Sequence, residues 1–81
     1  MIIKIITPQF TVEHQIAWLE LSTPAGNFTV YRGHAPSIVP VSPGTTLVFK
    51  LKTGKQQTFT VQEGVVHITR EQIEALITLA S

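Results

Sequence analysis

Three histidines are the side chains of this 81-residue chain that most readily suggest chemistry, because imidazole binds metals and transfers protons near neutral pH. They are His14, His34 and His67, and no two of them have the close spacing typical of zinc sites. The chain has no cysteine, which excludes thiolate ligands and disulfides. The sequence therefore predicts no metal site.

The acidic residues offer no clear route to catalysis. All five are glutamates, scattered between Glu13 and Glu74, so no aspartate can orient a histidine, and the chain contains no G-x-S-x-G nucleophile motif. The five glycines stand singly, about ten residues apart, as turn glycines do and phosphate-binding loops do not. We expect no enzyme and no cofactor, with a small enzyme or metal protein that uses the three histidines as the alternative.

The segment from Tyr31 to Pro36 places an aromatic, a cationic and an imidazole side chain in one loop, on Tyr31, Arg32 and His34. Such a loop suits contact with a protein partner. The alternative is a structural turn in which His34 hydrogen-bonds the backbone.

Trp18 lies in a run that is apolar on both faces when it is read as a strand. Two hypotheses follow. Either Trp18 contacts a partner, since tryptophan is enriched at interfaces, or a bulge near Ala17 turns Trp18 into the core.

Size and charge narrow the class of protein. A chain of 81 residues and 8.9 kDa is one domain, spanning residues 1–81. A net charge of +1 with 14% charged residues excludes the concentrated basic face that nucleic-acid binding needs, and 43% hydrophobic residues argue against disorder. No apolar run approaches the roughly 20 residues of a membrane span, so we expect a soluble domain.

Glycine and proline divide the chain into short runs rich in Val, Ile, Thr and Phe, which predicts strands. Pro40 limits its run to an edge or a bulge, because proline cannot donate to a sheet. Gly64 fits a bulge or a tight turn. The runs are Ile2 to Thr7, Thr11 to Ser22, Phe28 to Tyr31, Ser37 to Val41, Thr45 to Lys52, Gln57 to Val61 and Val65 to Thr69.

The tail is ambiguous on its own pattern. Ile73, Leu76, Ile77 and Ala80 match a helical stripe, with a Thr69–Gln72 capping box before it. Alternation from Ile73 to Leu79 matches a strand equally well. One apolar face on seven or eight strands needs a second layer, so we predict an all-β, two-sheet β-sandwich of about eight to ten short strands.

The segment Gly33-His34-Ala35-Pro36, six further residues and Pro43-Gly44 resembles, without a gap, the G-H-A-P…P-G segment of the epsilon subunit of F-type ATP synthases, called delta in mitochondria. Lys4 to Pro8 is similar to the opening strand of that family. Phe59 to Val66 resembles its F-x-V-S-G-G-x-V hairpin, and Ile73 to Ile77 its final strand. The resemblance makes the tail a strand.

The resemblance implies a non-catalytic central-stalk part of the rotor in a proton- or sodium-translocating ATP synthase. Its partners are the gamma subunit and the c-ring, and it couples ion flow to ATP synthesis. It lies peripherally on the cytoplasmic face of the bacterial inner membrane, or on the matrix or stromal side in organelles, without membrane insertion. In relatives a two-helix hairpin follows this domain, and Ser81 stands where that hairpin starts.

The resemblance also assigns the partner-binding residues. Asn27 stands where relatives often carry an acidic residue facing the c-ring, and Arg32 replaces the usual proline before G-H-A-P. With Tyr31 and His34 they are expected on the end facing the c-ring, while Trp18 stands where relatives have a polar residue. The alternative function is a divergent β-sandwich binding module that uses Trp18 and Tyr31 for another protein or a small ligand.

Overall fold

The computed structural model describes residues 1–80, which form strands joined by turns. The all-β prediction is confirmed, and the tail is a strand. Within residues 1–80 there are seven strands: β1 (Ile2–Ile6), β2 (Thr11–Thr23), β3 (Gly26–Val30), β4 (Ser37–Val41), β5 (Thr45–Leu51), β6 (Gln56–Ile68) and β7 (Gln72–Leu79).

Two long strands build both layers of the sandwich. β2 and β6 are each 13 residues long. The first half of β2 pairs with β1, and its second half pairs with β3 and β5. The first half of β6 pairs with β5, and its second half pairs with β4 and β7. We call the layer β3–β2–β5–β6 the first sheet and the layer β2–β1–β7–β6–β4 the second sheet.

The strand count differs from the expected eight to ten because β2 and β6 cross between layers without a break. Counting each half separately raises the seven strands of residues 1–80 to nine segments. Neighbouring strands pair antiparallel, except that β1 and β7 are parallel. The order β1–β7–β6–β5–β2, together with the β1–β2 pairing, closes the two layers at both corners.

A bulge in β2 decides which of its side chains enter the core. Ile16 and Leu19 are three residues apart and would face opposite ways on a regular strand. The register shifts between Ile16 and Trp18, so Ala17 is an extra residue and both Ile16 and Leu19 are buried. The predicted bulge is present, but it turns Leu19 and Leu21 inward. Trp18 stays half-buried, and the hypothesis that Trp18 enters the core is wrong.

A second bulge replaces the hairpin expected between Phe59 and Val66. β6 runs through this segment, with a register shift between Val61 and Glu63. Gly64 lies here with φ +151°, and a Cβ on it would stand 2.7 Å from Ile77 Cα. Gly64 pairs with Ile77 in the register that follows the shift, and glycine lets β6 pass against the backbone of β7 at this point. Of the two predicted settings for Gly64, the structure shows a bulge directly before it and no tight turn.

The core lies between the two sheets and includes side chains from every strand. Phe49 is its largest fully buried side chain, with its ring centroid 5.9 Å from that of Phe59. The ring centroid of the half-buried His14 lies 5.7 Å from that of Phe49. The buried hydrophobic residues are Ile3, Ile5, Ile16, Leu19, Leu21, Val30, Val41, Leu47, Phe49, Val61, Val66, Ile68, Ile73, Ala75 and Ile77.

Two local predictions concern the edge strand and the tail. Pro40 lies in β4, whose pairing within the described residues is with β6, which agrees with the edge position predicted for it.

Thr69 and Gln72 bond one another across a turn, with Gln72 N–H donating to Thr69 Oγ1 at 3.2 Å and Thr69 N–H donating to Gln72 O at 2.9 Å. The helical interpretation of this pair as a capping box is wrong, because the chain turns here into β7.

Candidate functional site

The loop after β3 is held to the body of the protein by its backbone. Gly33 N–H donates to Arg70 O at 2.8 Å, and His34 N–H donates to Tyr31 O at 3.1 Å. The second bond closes a four-residue turn from Tyr31 to His34, with Gly33 at φ +87°. The loop is therefore anchored on the turn between β6 and β7, and its side chains project from a defined backbone.

His34 is half-buried, and its ring bonds the chain beside it. Nδ1 lies 2.7 Å from Ala35 O, and because a carbonyl oxygen accepts, this contact needs the tautomer with the hydrogen on Nδ1. The predicted hydrogen bond from His34 to the backbone is confirmed. With Nδ1 occupied, Nε2 is the ring nitrogen left to meet a partner.

Arg32 already has an acidic neighbour. Its Nη2 lies 3.5 Å from Glu71 Oε1, and the two side chains are 72% and 78% exposed. An ion pair this exposed is worth about 0–1 kcal/mol, because water screens it and two long side chains lose freedom. Arg32 can thus exchange Glu71 for an acceptor on another protein at little cost. The chain positions give no signal for this pair, since Arg32 and Glu71 are 39 residues apart.

Trp18 and Tyr31 lie on the outer face of the first sheet. The last pair between β2 and β3 is Leu19 with Val30. Trp18 precedes Leu19 and Tyr31 follows Val30, so both residues lie just beyond this pair, at the same end of the two strands. Tyr31 is 60% exposed, and Trp18 lies opposite Lys50 of β5. The structure therefore brings the two aromatic side chains to the same end of this face, beside the loop that carries Arg32 and His34.

Asn27 lies on the same outer face but at its other end. It pairs with Ser22 near the start of β3, four residues before Tyr31. At about 3.4 Å per residue of antiparallel strand, the two positions are separated by about 14 Å. The five predicted residues thus divide into a cluster of four and one separate position, which we call the aromatic end and the Asn27 end.

The three histidines are not brought together. His14 packs on Phe49, His34 bonds its own loop, and His67 Nδ1 lies 4.0 Å from Glu74 Oε1 on the second sheet. Among the described residues there is no group of three or more His, Cys, Asp or Glu side chains placed to hold a metal ion. The geometry gives the metal-protein alternative no support.

The part of the chain that the structure describes contains no helix long and apolar enough to cross a membrane.

A family model for the ATP synthase Delta/Epsilon chain, β-sandwich domain, matches residues 1–80. Among curated proteins, none matches this chain significantly. Among the solved structures that share its fold, two illustrate the similarity at low sequence identity. One is the Euglena gracilis mitochondrial ATP synthase, OSCP/F1/c-ring in rotational state 1, where a chain aligns with TM-score 0.79 and 18% identity over 93% of this chain and 48% of that chain.

The second solved structure is the Tetrahymena thermophila mitochondrial ATP synthase, central stalk and c-ring. A chain in it aligns with TM-score 0.78 and 15% identity over 96% of this chain and 63% of that chain. This chain thus spans about half of the first matched chain and less than two thirds of the second. At these identities the two structures establish the fold.

Proposed function

This chain belongs to the ATP synthase Delta/Epsilon chain family, of which it forms the β-sandwich domain, and from that premise we propose that it is a non-catalytic part of the central stalk. In this role it binds the gamma subunit and the c-ring and helps to couple ion flow to ATP synthesis. The observation that carries the proposal is the family match across residues 1–80. The Euglena gracilis and Tetrahymena thermophila structures named above both contain a c-ring.

The outer face of the first sheet supports the proposed contact with the c-ring. Its aromatic end combines Trp18 and Tyr31 with Arg32 and His34, and aromatic and arginine side chains are enriched in protein interfaces. The loop backbone is fixed by the bonds to Arg70 and Tyr31, so little ordering entropy is lost on binding. Asn27 at the other end adds an exposed amide, which both donates and accepts hydrogen bonds.

A stalk part works by holding its shape rather than by chemistry. The two sheets share β2 and β6, so a force on one sheet is carried to the other by continuous backbone. The proposed location follows from the partners: the domain lies at the membrane surface through the complex, on the side where the catalytic part of the synthase stands.

The proposal is tested by co-purifying this chain with a gamma subunit from the same source, using size-exclusion chromatography at micromolar concentration. We expect a one-to-one complex. Separate elution of the two proteins, with this chain folded by circular dichroism, contradicts the stalk assignment and favours a β-sandwich binding module with another partner.

A further inference from the structure

A row of apolar side chains crosses the outer face of the second sheet. Ile6 of β1 pairs with Leu76 of β7, Leu76 pairs with Val65 of β6, and Val65 pairs with Pro40 of β4. Residues on either side of these positions, such as Ile5 and Ala75, are buried in the core, so the row itself faces outward. Leu76 is 45% exposed. We call these four residues the apolar row.

Carboxylates stand on both sides of the apolar row. On one side Glu13, Lys4, Glu74 and His67 lie next to one another on adjacent strands. On the other side is Glu63, which pairs with Thr78. Three of the five glutamates of the chain therefore face outward here, against one lysine. The face is apolar along its centre and net acidic along its borders.

The spacing of these features matches the dimensions of an α-helix. Glu74 and Thr78 are four residues apart on β7, which corresponds to about 13 Å. Because Glu63 pairs with Thr78, the two acidic borders are separated by about the same distance. A helix with its side chains is about 10–12 Å across, so lysines on its two flanks can meet both borders. The apolar row crosses four strands and is therefore about 14 Å long. Two to three turns of an α-helix have this length.

A groove beside the apolar row can receive a side chain of a partner. It is open, holds about 690 Å³, and runs from Ile6 and Leu76 to Glu63, with the nearly buried side chains of Val41 and Ile77 in its lining. An apolar side chain from a partner can enter this groove while a neighbouring cation meets Glu63. Ile38 is 69% exposed and pairs with His67. It therefore adds apolar surface on the side of the row opposite Glu63.

We propose that the outer face of the second sheet binds a basic amphipathic α-helix of another protein. The helix lies along the apolar row, with lysines or arginines on both flanks facing Glu63 on one side and Glu74 and Glu13 on the other. This surface is on the opposite side of the sandwich from Trp18, Tyr31 and Asn27. It rests on the proposed function in one respect, namely that a stalk part needs a second face for a second protein.

The experiment titrates the isotope-labelled chain with two synthetic peptides. The first is a 14-residue helix with a leucine stripe flanked by lysines, and the second carries glutamate in place of each lysine. We expect the basic peptide to shift the amide resonances of Ile6, Val65 and Leu76 in nuclear magnetic resonance spectra. The acidic peptide is expected to bind at least about tenfold more weakly, and binding of the basic peptide is expected to weaken as salt increases.

Matched variants separate the apolar and the charged contributions. Leu76→Gln should weaken binding about tenfold, while Val48→Gln, on the outer face of the first sheet, should leave it unchanged. The double variant Glu63→Gln with Glu74→Gln should weaken binding and reduce its salt dependence, while Glu20→Gln on the first sheet should not. If Leu76→Gln fails to fold by circular dichroism, Ile38→Ser tests the same surface.

Several results overturn the proposal. These are shifts centred on Trp18 and Tyr31, equal binding of the two peptides, or no binding of the basic peptide. Sedimentation showing a dimer that Leu76→Gln dissociates assigns the face to a second copy instead. The titration contains neither gamma subunit nor c-ring, so peptide binding combined with failed co-purification rejects the proposed function alone.

Discussion

At the scale of single residues, the aromatic end combines side chains whose present contacts are weak or local. His34 bonds the neighbouring Ala35 O, and Arg32 meets an exposed Glu71. Neither contact supports the core, where Phe49 and its neighbours are fully buried. Substitutions at these two positions are therefore expected to affect partner binding more than folding.

His34→Ala is expected to leave the fold intact and to weaken stalk assembly. The lost side-chain hydrogen bond costs about 0.5–1.5 kcal/mol of stability at most, which chemical denaturation measures. Assembly with the gamma subunit and c-ring, scored by co-purification, should fall severalfold. Lys55→Ala is the control, because Lys55 is exposed in the turn between β5 and β6 and belongs to neither proposed surface. Loss of folding in His34→Ala would assign this histidine a purely structural role.

Arg32 and Glu71 give a pair of opposite tests. Arg32→Ala removes a cation from the aromatic end and should weaken assembly in low salt. Glu71→Gln removes the acceptor that competes for Arg32, so assembly should be equal or stronger. Each change should alter the free energy of unfolding by less than about 1 kcal/mol, because the pair is exposed. Weaker assembly in both variants would contradict the role given to Arg32.

At the scale of elements, the bulges in β2 and β6 place side chains that the alternating pattern misplaces. Ala17 is exposed and makes no core contact of its own. It nevertheless places Leu19 and Leu21 on the same, inward face as Ile16, since strand side chains alternate with a period of two residues and the extra residue reverses that alternation.

Deleting Ala17 should therefore be far more damaging than substituting it. The deletion forces either Ile16 or the pair Leu19 and Leu21 out of the core. Exposing one large apolar side chain lowers the free energy of unfolding by about 1.5–3 kcal/mol. We expect the shortened chain not to fold at 25 °C. Ala17→Ser should change stability by less than about 0.5 kcal/mol. Thermal unfolding followed by circular dichroism compares the two, and a folded deletion variant would show that the register can shift without cost.

Gly64→Ala tests the second bulge. A Cβ there collides with the backbone of Leu76 and Ile77, at a φ that other residues rarely adopt. Gly54→Ala is the control, since Gly54 has φ +103° but nothing within 4 Å of the added Cβ. We expect Gly54→Ala to cost about 1–2 kcal/mol and Gly64→Ala clearly more, as measured by urea denaturation. Similar costs would mean that β6 and β7 can separate locally at the bulge.

At the scale of the whole molecule, the two sheets cannot unfold separately. β2 and β6 run through both, and β1 lies between β2 and β7 in the second sheet. The fluorescence of Trp18, the single tryptophan, reports the first sheet, while circular dichroism reports both. We expect coincident transitions in urea, as for a two-state domain. A tryptophan transition that precedes the other would show that the sheets are independent units.

The sequence predicts much of this architecture because the relevant signals are local. Turn residues such as Pro43-Gly44 and Thr53-Gly54 separate the strands, and Leu47, Phe49 and Leu51 alternate clearly on β5. The edge position of Pro40 follows from its missing N–H. The segment Gly33 to Pro36 carries a family resemblance that agrees with the match over residues 1–80.

Sequence alone thus determined the strand class, the turn positions, the family resemblance and the candidate loop, since each depends on neighbouring residues. Tertiary structure alone decided that β6 is one bent strand, that Ala17 sends Leu19 rather than Trp18 inward, and that Arg32 meets Glu71. It also decided that Ile6, Leu76, Val65 and Pro40 form one row between acidic borders. These features depend on strand register and on pairings between distant segments, and a sequence pattern specifies neither until the strands are paired.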